Sequence, residues 1–181
     1  MSFQLKTNRL FMQIEDNRQA GKVLDFYQRN RDLFDRYDPT RPPQFYTLNF
    51  MSTFMEIEYQ DCVKGKMLRY YVYPLDDLNT LIGTVNFSRI EHGPFSRTAI
   101  GYKFDAAYHG KGYAFEACQA AIDVIFSNYR LHRIDARVAP DNLPSIRLLE
   151  RLGFCYEGIE LKGVEVMGQF RDHYRYGLIQ N

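Results

Sequence analysis

The stretch Tyr102-Lys-Phe-Asp-Ala-Ala-Tyr-His-Gly-Lys-Gly-Tyr-Ala114 constrains the fold more than any other part of the chain. A strand-like segment ends near Phe104, a loop passes through Gly110-Lys111-Gly112, and then the period changes. Ala114, Ala117, Cys118, Ala121, Ile122, Ile125 and Phe126 recur at helical spacing, which predicts a helix over Gly112–Tyr129 with one core-facing stripe. The first amides of such a helix have no intrahelical partner and carry the positive end of its dipole. Glycines let a ligand approach that backbone closely. Strand, glycine loop and helix start together predict a site for a phosphate or pyrophosphate.

Geometry ties this loop to a second motif. The helix is roughly 27 Å long at 1.5 Å per residue. The alternating segment Arg133–Val138 that follows covers nearly the same distance on its way back, at about 3.3 Å per residue. A right-handed crossover therefore returns Pro140-Asp-Asn-Leu-Pro-Ser145 to the end of the sheet that holds the phosphate loop. Asn142 and Ser145 can face one ligand that emerges from the anion site. A phosphorylated donor with a long amide-bearing arm fits the slot, and coenzyme A is the obvious candidate.

The remaining elements surround this unit. Leu5–Ile14 reads as a first strand, and a helix around Val23–Tyr27 can be capped by Asp16 or Asn17. Asp38-Pro-Thr-Arg-Pro-Pro43 must be a loop, because proline removes an amide donor and restrains its predecessor. A helix over about Thr47–Val63 follows, with Phe50, Phe54, Ile57 and Asp61 along one side. Strands come next at about Met67–Tyr73, Leu81–Ile90 and Ser96–Phe104, punctuated by Gly65, Asp76-Asp77 and His92-Gly93-Pro94. After the crossover, a short helix Leu143–Leu152 ends at Gly153, and two strands, about Phe154–Val166 and Phe170–Ile179, are hinged at Met167-Gly168. The order predicts an α/β (α+β) fold with a mixed, mostly antiparallel central sheet and helices on both faces.

No repeat or linker interrupts the 181 residues, so one domain over 1–181 is expected. With 23 Lys+Arg against 22 Asp+Glu there is no basic excess for nucleic acid. Three dispersed cysteines form neither a disulfide framework nor a zinc motif, so no metal is expected and a reducing cytosol suits the chain. Met1–Leu10 lacks the basic and apolar segments of a signal peptide or membrane anchor, and no run is long enough to span a bilayer. A homo-oligomer is compatible with the sequence.

In its motifs the chain resembles the GCN5-related N-acetyltransferase superfamily, and more closely its ribosomal-protein N-terminal alanine acetyltransferase branch. The superfamily's pyrophosphate motif, Gln/Arg-x-x-Gly-x-Gly/Ala, is matched by His109-Gly-Lys-Gly-Tyr-Ala114 except at its first position. Asn142-Leu-Pro-Ser145, Gly153-Phe154 and Tyr156-Glu-Gly158 match the branch, and Leu5-Lys-Thr-Asn-Arg-Leu10 and Gly168-Gln-Phe-Arg-Asp172 resemble it. The resemblance implies acetyl-CoA as co-substrate, an amine acceptor (a peptide or protein N-terminus, or a small amine) and a sheet splayed at the donor site. Backbone amides of His109, Gly110, Lys111, Gly112, Tyr113 and Ala114 would hold the pyrophosphate. Phe104 and Asp105 would pair through the backbone with the pantetheine arm and acetyl carbonyl. Asn142 would bond the pantetheine amide, and Ser145 would protonate the departing thiolate.

The general base stays open among Glu165, Glu91, His92 and a water chain. Glu165 lies near a position where some relatives carry an acid, but the strand register puts Val164 there, and a one-residue slip reverses the face. Blander readings stand beside these. Asn142 and Asp141 can simply cap a helix, Lys111 can be a solvated side chain, and Cys118 falls on the apolar stripe. His132 and His173 lack metal-ligand spacing, and Arg36, Asp38 and Arg41 can be a solvated cluster. A Walker loop and a dinucleotide fingerprint are both missing. Two functions remain: an acetyltransferase acting on an amine, and a degenerate acyl-CoA-binding module that senses or scaffolds without turnover.

Overall fold

The computed structural model describes residues 3–180, so Met1 and Ser2 of the N-terminal reading lie outside the described residues. The expected first strand is two: β1 (Gln4–Lys6) and β2 (Leu10–Gln13) pair antiparallel about a turn at 7–9. The Thr7 hydroxyl accepts the Leu10 amide at 3.0 Å, a side-chain bond that folds the backbone back where the apolar pattern alone reads as continuous.

Asp16 caps a short 3-10 turn by accepting the Arg18 amide, and α1 (Ala20–Arg29) and the short α2 (Arg31–Asp35) follow. Thr47 caps α3 (Leu48–Val63) through the Phe50 amide. Its buried residues are Met51, Met55 and Cys62, with Phe50 and Phe54 flanking them and Ile57 exposed. The stripe is thus rotated from the one expected, because Met and Cys count less in an aromatic-led reading.

β3 (Leu68–Pro74), β4 (Gly83–Glu91) and β5 (Arg97–Phe104) form an antiparallel run. Helix α4 (Tyr113–Val124) continues into a π-turn, Ile125–Tyr129, that ends at Arg130 with positive φ. β6 (Arg133–Val138), α5 (Leu143–Arg151), β7 (Cys155–Val166) and β8 (Gln169–Ile179) complete the chain.

Eight strands form one sheet in the order β1-β2-β3-β4-β5-β6-β8-β7, antiparallel except at β5–β6. Period-two alternation sends Leu68, Tyr70 and Val72 to one face and Tyr71 and Tyr73 to the other. The first face packs on Ala117, Cys118, Ala121 and Ile122 of α4 and on Leu149 of α5. The second packs on Val23, Phe26 and Tyr27 of α1 and on Met51 and Met55 of α3. Tyr70, Tyr71 and Tyr73 are therefore core residues. No helix among the described residues is long and apolar enough to cross a membrane.

Candidate functional site

Pairing between β5 and β6 stops early. Arg97, Thr98 and Ala99 pair with Arg133, Ile134 and Asp135, yet β5 runs on to Phe104 and β6 to Val138. Beyond Ala99 the two strands diverge, and Ile100–Phe104 presents an edge without a β6 partner. An unpaired edge is a template for an extended ligand rich in amide groups. The ring of Phe104 is seated by Gly83, where a Cβ would come within 2.5 Å of it.

The turn after β5 is fastened from α1. Asp105 accepts the Arg29 Nε at 2.6 Å and the Ala107 amide at 2.9 Å, and the Asn30 side chain accepts the Ala106 amide at 3.1 Å. Burial opposes the charge on Asp105, but Arg29, the Ala107 amide and Asn30 outweigh it and hold the carboxyl below the usual carboxylate range. Its own backbone is also engaged: the amide donates to Ile82 at 2.9 Å and the carbonyl accepts from Tyr108 at 2.9 Å. Asp105 therefore shapes the turn; the Phe104 carbonyl is engaged as well, 2.9 Å from the His109 Nε2, so the open part of the edge is the strand before Phe104.

The glycine loop has the form the sequence implies. Gly110 and Gly112 sit at φ +72° and +80°, the left-handed region that favours glycine. No side chain caps α4; its first helical bond runs from the Glu116 amide to Gly112, so the amides of Tyr113, Ala114 and Phe115 have no intrahelical acceptor. A groove of about 640 Å³ opens there, lined by Gly110, Lys111, Gly112, Phe115, Arg9 and Arg151. The amides and the space fit a diphosphate. Lys111 does not reach into the groove as a free cation, since its Nζ donates to the Ala107 carbonyl at 3.0 Å.

The crossover returns α5 to this end of the sheet, as its length requires. Asn142 caps α5 by accepting the Ser145 amide at 3.3 Å, which leaves its amide nitrogen for another partner. The Ser145 Oγ lies 2.7 Å from the hydroxyl of Tyr102, which rises from β5 beside the unpaired edge. Burial pushes the Tyr102 hydroxyl well above its usual range, with Cys118 adding to the rise and the Ser145 bond countering it. Tyr102 was within the constraining stretch but had no role there; its partner is 43 residues away in sequence, and only the crossover joins them.

Three segments meet at the mouth. The Thr40 amide donates to the Glu165 carbonyl at 3.0 Å, and the Thr40 hydroxyl accepts the Gly168 amide at 3.2 Å. Arg171 reaches both oxygens of Asp141 at 3.2 Å. Behind them Lys103 meets Asp38 at 2.8 Å, and Arg41 pairs with Asp38 and stacks over Phe45 and Tyr27. Asp38 and Arg41 are only 15% and 12% exposed, so the solvated-cluster reading gives way to an ordered network; Arg36 alone stays in solvent. A second, polar groove of about 440 Å³ runs along β5 from Arg97 to Gly101 and over Asp135–Arg137, crossing the point where the strands part.

The base candidates are not gathered with Ser145. The Glu165 side chain is exposed on the face opposite Val164 and Val166, in register with Phe170 at the hairpin tip. Glu91 pairs with Arg97 at the start of β5, roughly 23 Å of strand from Phe104. His92 is exposed beside it, His132 is exposed, and His173 is buried with its ring against the Arg171 carbonyl. Cys62 and Cys118 are buried and Cys155 is exposed.

With this geometry in place, comparison with known proteins is specific. Residues 14–155 match the model of the acetyltransferase (GNAT) domain. A probable N-acetyltransferase of Bacillus subtilis, YjcK, is 34% identical over 170 residues, 93% of each chain. The ribosomal protein uS5-alanine N-acetyltransferase of Escherichia coli is 31% identical over 169 residues, 93% of this chain and 87% of that one. The crystal structure of the ribosomal-protein-S5-alanine acetyltransferase from Vibrio fischeri superposes with a TM-score of 0.93 at 26% identity, covering 99% of this chain and 98% of that one.

Proposed function

The chain belongs to the GNAT acetyltransferase family and is an acetyl-CoA-dependent N-acetyltransferase, and we propose that its acceptor is a primary amine, a peptide or protein N-terminus ahead of a small amine. One observation carries the reading. The uncapped glycine-loop helix, the unpaired β5 edge and the Tyr102–Ser145 pair all lie at the same end of the sheet.

In this arrangement the amides of Gly110 to Ala114 hold the donor's pyrophosphate, while the His109 amide, expected among them, is spent on the Ala106 carbonyl at 3.2 Å. The β5 edge that runs up to Phe104, together with the Asn142 nitrogen that the helix cap leaves free, aligns the pantetheine arm. Acetyl-CoA supplies an activated thioester, which a neutral amine attacks directly. The protein's contribution is positioning and proton delivery. As the tetrahedral intermediate collapses and the C–S bond breaks, Ser145 passes its proton to the departing thiolate and Tyr102, kept protonated by burial, passes one to Ser145. The proton that the attacking nitrogen sheds on becoming an amide goes to solvent, and the hydroxyl pair is reprotonated from solvent, so the transfer closes without net proton loss. No side chain of the described residues is assigned as base; the acceptor enters as its free-amine fraction. The groove from Gly101 to Arg97 has room for the residues that follow a peptide N-terminus, and the E. coli and V. fischeri relatives are named for acetylating a ribosomal protein.

The test is thiol release from acetyl-CoA against a panel of peptides, polyamines, amino sugars and hydroxyl compounds, with products identified by mass spectrometry. Acetylated peptide N-termini are expected, at rates that rise with pH as the amine loses its proton. Acetylation of hydroxyl compounds alone would exclude an amine acceptor. Tight coenzyme A binding with no thiol release from any acceptor would return the protein to the class of acyl-CoA-binding modules.

A further inference from the structure

We propose that Arg9, reaching over from the β1–β2 turn, is the side-chain cation that holds the donor's phosphates, in place of the Gln or Arg for which this chain carries His109. The proposal rests on the donor-loop reading above. His109 is half committed in this geometry: its Nε2 lies 2.9 Å from the Phe104 carbonyl and must spend its proton there, which leaves the ring only Nδ1 for any ligand. Lys111 is turned back to Ala107. The loop thus presents backbone amides to an anion, while His109 and Lys111 each have a donor committed to a neighbouring carbonyl.

Arg9 fills that gap from more than a hundred positions away in the chain. Its Nη1 donates to the Lys111 carbonyl at 2.9 Å, and its guanidinium lies over the Tyr113 ring, 4.6 Å from the centroid. Its Nη2 is 3.4 Å from where a Cβ on Gly112 would stand. The head group therefore lies directly against the loop's second glycine and lines the same groove. The outward N–H groups of both terminal nitrogens remain for a ligand, and the side chain is 47% exposed.

Glu116 explains how Arg9 is held, and why a cation is needed. A carboxylate in the first turn of α4 would repel a phosphate bound at the helix start. Here it accepts the Thr7 hydroxyl at 2.6 Å, the Arg9 amide at 2.9 Å, and the Arg9 guanidinium at 2.6 and 2.7 Å. Burial opposes the charge on Glu116, but these donors outweigh it and hold its carboxyl below the usual range. The carboxylate is thereby neutralised and used as a bracket that aims the guanidinium into the groove. Thr7-Asn8-Arg9, a segment with no chemistry of its own in the sequence, acquires one through this contact.

Calorimetric titration with coenzyme A and with 3′-dephospho-coenzyme A separates a phosphate ligand from a buttress. Arg9→Gln should weaken coenzyme A at least tenfold and flatten the salt dependence of its affinity, because a charge contact to phosphate has been removed. Glu116→Gln keeps the cation and loosens its bracket, so a smaller loss with the salt dependence retained is expected. A loss in Arg9→Gln with the salt dependence unchanged would mean that Arg9 only braces the loop, and would overturn the proposal. An Arg9→Gln affinity within twofold of the unaltered protein, with Gly112→Val still blocked, would also overturn it while sparing the donor loop. Unchanged binding in Gly112→Val as well would remove the loop itself. A loss confined to coenzyme A assigns Arg9 to the 3′-phosphate; equal losses for both ligands assign it to the pyrophosphate. Thermal melts of each variant identify any that fails to fold, and Arg9→Lys, which keeps the charge without the fork, then carries the salt measurement.

Discussion

The hydroxyl pair Tyr102–Ser145 is the smallest unit on which the mechanism can be tested. A positioned general acid is worth about a hundredfold or more in rate. Ser145→Ala should therefore lower kcat by roughly that factor while leaving coenzyme A affinity within a few-fold, the signature of an interaction made mainly in the transition state. Tyr102→Phe removes the hydroxyl and keeps the ring, so a smaller loss, on the order of tenfold, is expected under the same principle. Burial raises Tyr102 above the usual tyrosine range, so it keeps its proton across ordinary assay pH. Its removal should lower the kcat–pH profile without moving the profile's midpoints. Full kcat in Tyr102→Phe would detach the tyrosine from proton delivery. Glu165→Gln should leave the profile in place, since that side chain is exposed and faces away from Val164. Such residue-level facts divide in how legible they were. Ser145 could be placed from strand and helix lengths alone, whereas Tyr102, Arg9 and Glu116 acquire roles only through contacts between distant segments, which no local pattern encodes.

At the level of elements, whatever depends on local period was readable, and whatever depends on pairing was not. The stripe of α4 and the alternation of β6 announce themselves, because each is set by which side chains must face the core. The parting of β5 and β6 is invisible, since both strands continue past it with strand-like sequences. The β1–β2 turn was hidden by a hydroxyl that replaces a backbone partner. The glycine loop lies between these cases, and its substitution is predictable. Gly112→Val would place a β-branched residue at φ +80° and push a Cβ toward Arg9, so coenzyme A affinity by calorimetry should fall at least tenfold. Unchanged affinity would mean that the phosphates bind elsewhere. The turn after β5 gives an acid-dependent counterpart. Asp105 has a lowered carboxyl in the folded protein, so its stabilisation is present above the ordinary value of 3.8 and is lost as pH falls through the folded value. Asp105→Asn should cost roughly 1–3 kcal/mol in urea unfolding at pH 7, with a smaller difference near pH 3. A difference independent of pH would show that the charge at Asp105 is not what fastens the turn.

Across the whole molecule, one sheet serves two cores that do not otherwise mix. The α4–α5 core carries the donor loop, and the α1–α3 core carries the network around Asp38 and Arg41 at the mouth. The second core is knit together by an aromatic cluster around Phe45 and joined to the sheet by a buried ion pair: Arg69 of β3 meets Glu58 of α3 at 2.8 Å. Because β2 and β3 have side chains in both cores, neither layer can detach without exposing the other's floor. Unfolding in urea is therefore expected as a single transition for one domain over residues 1–181. Glu58→Ala should lower stability by about 3–5 kcal/mol, since it leaves the buried guanidinium without its partner, and the slope with denaturant should stay unchanged. Coenzyme A at about a hundred times its dissociation constant should raise stability by roughly 2.7 kcal/mol, and the gain should appear across the whole transition. Fluorescence and far-ultraviolet circular dichroism recorded on the same samples check this. Two separated transitions, with coenzyme A shifting only one, would show that the donor layer and the mouth layer fold as separate units, and the sheet would then be a shared surface between two domains.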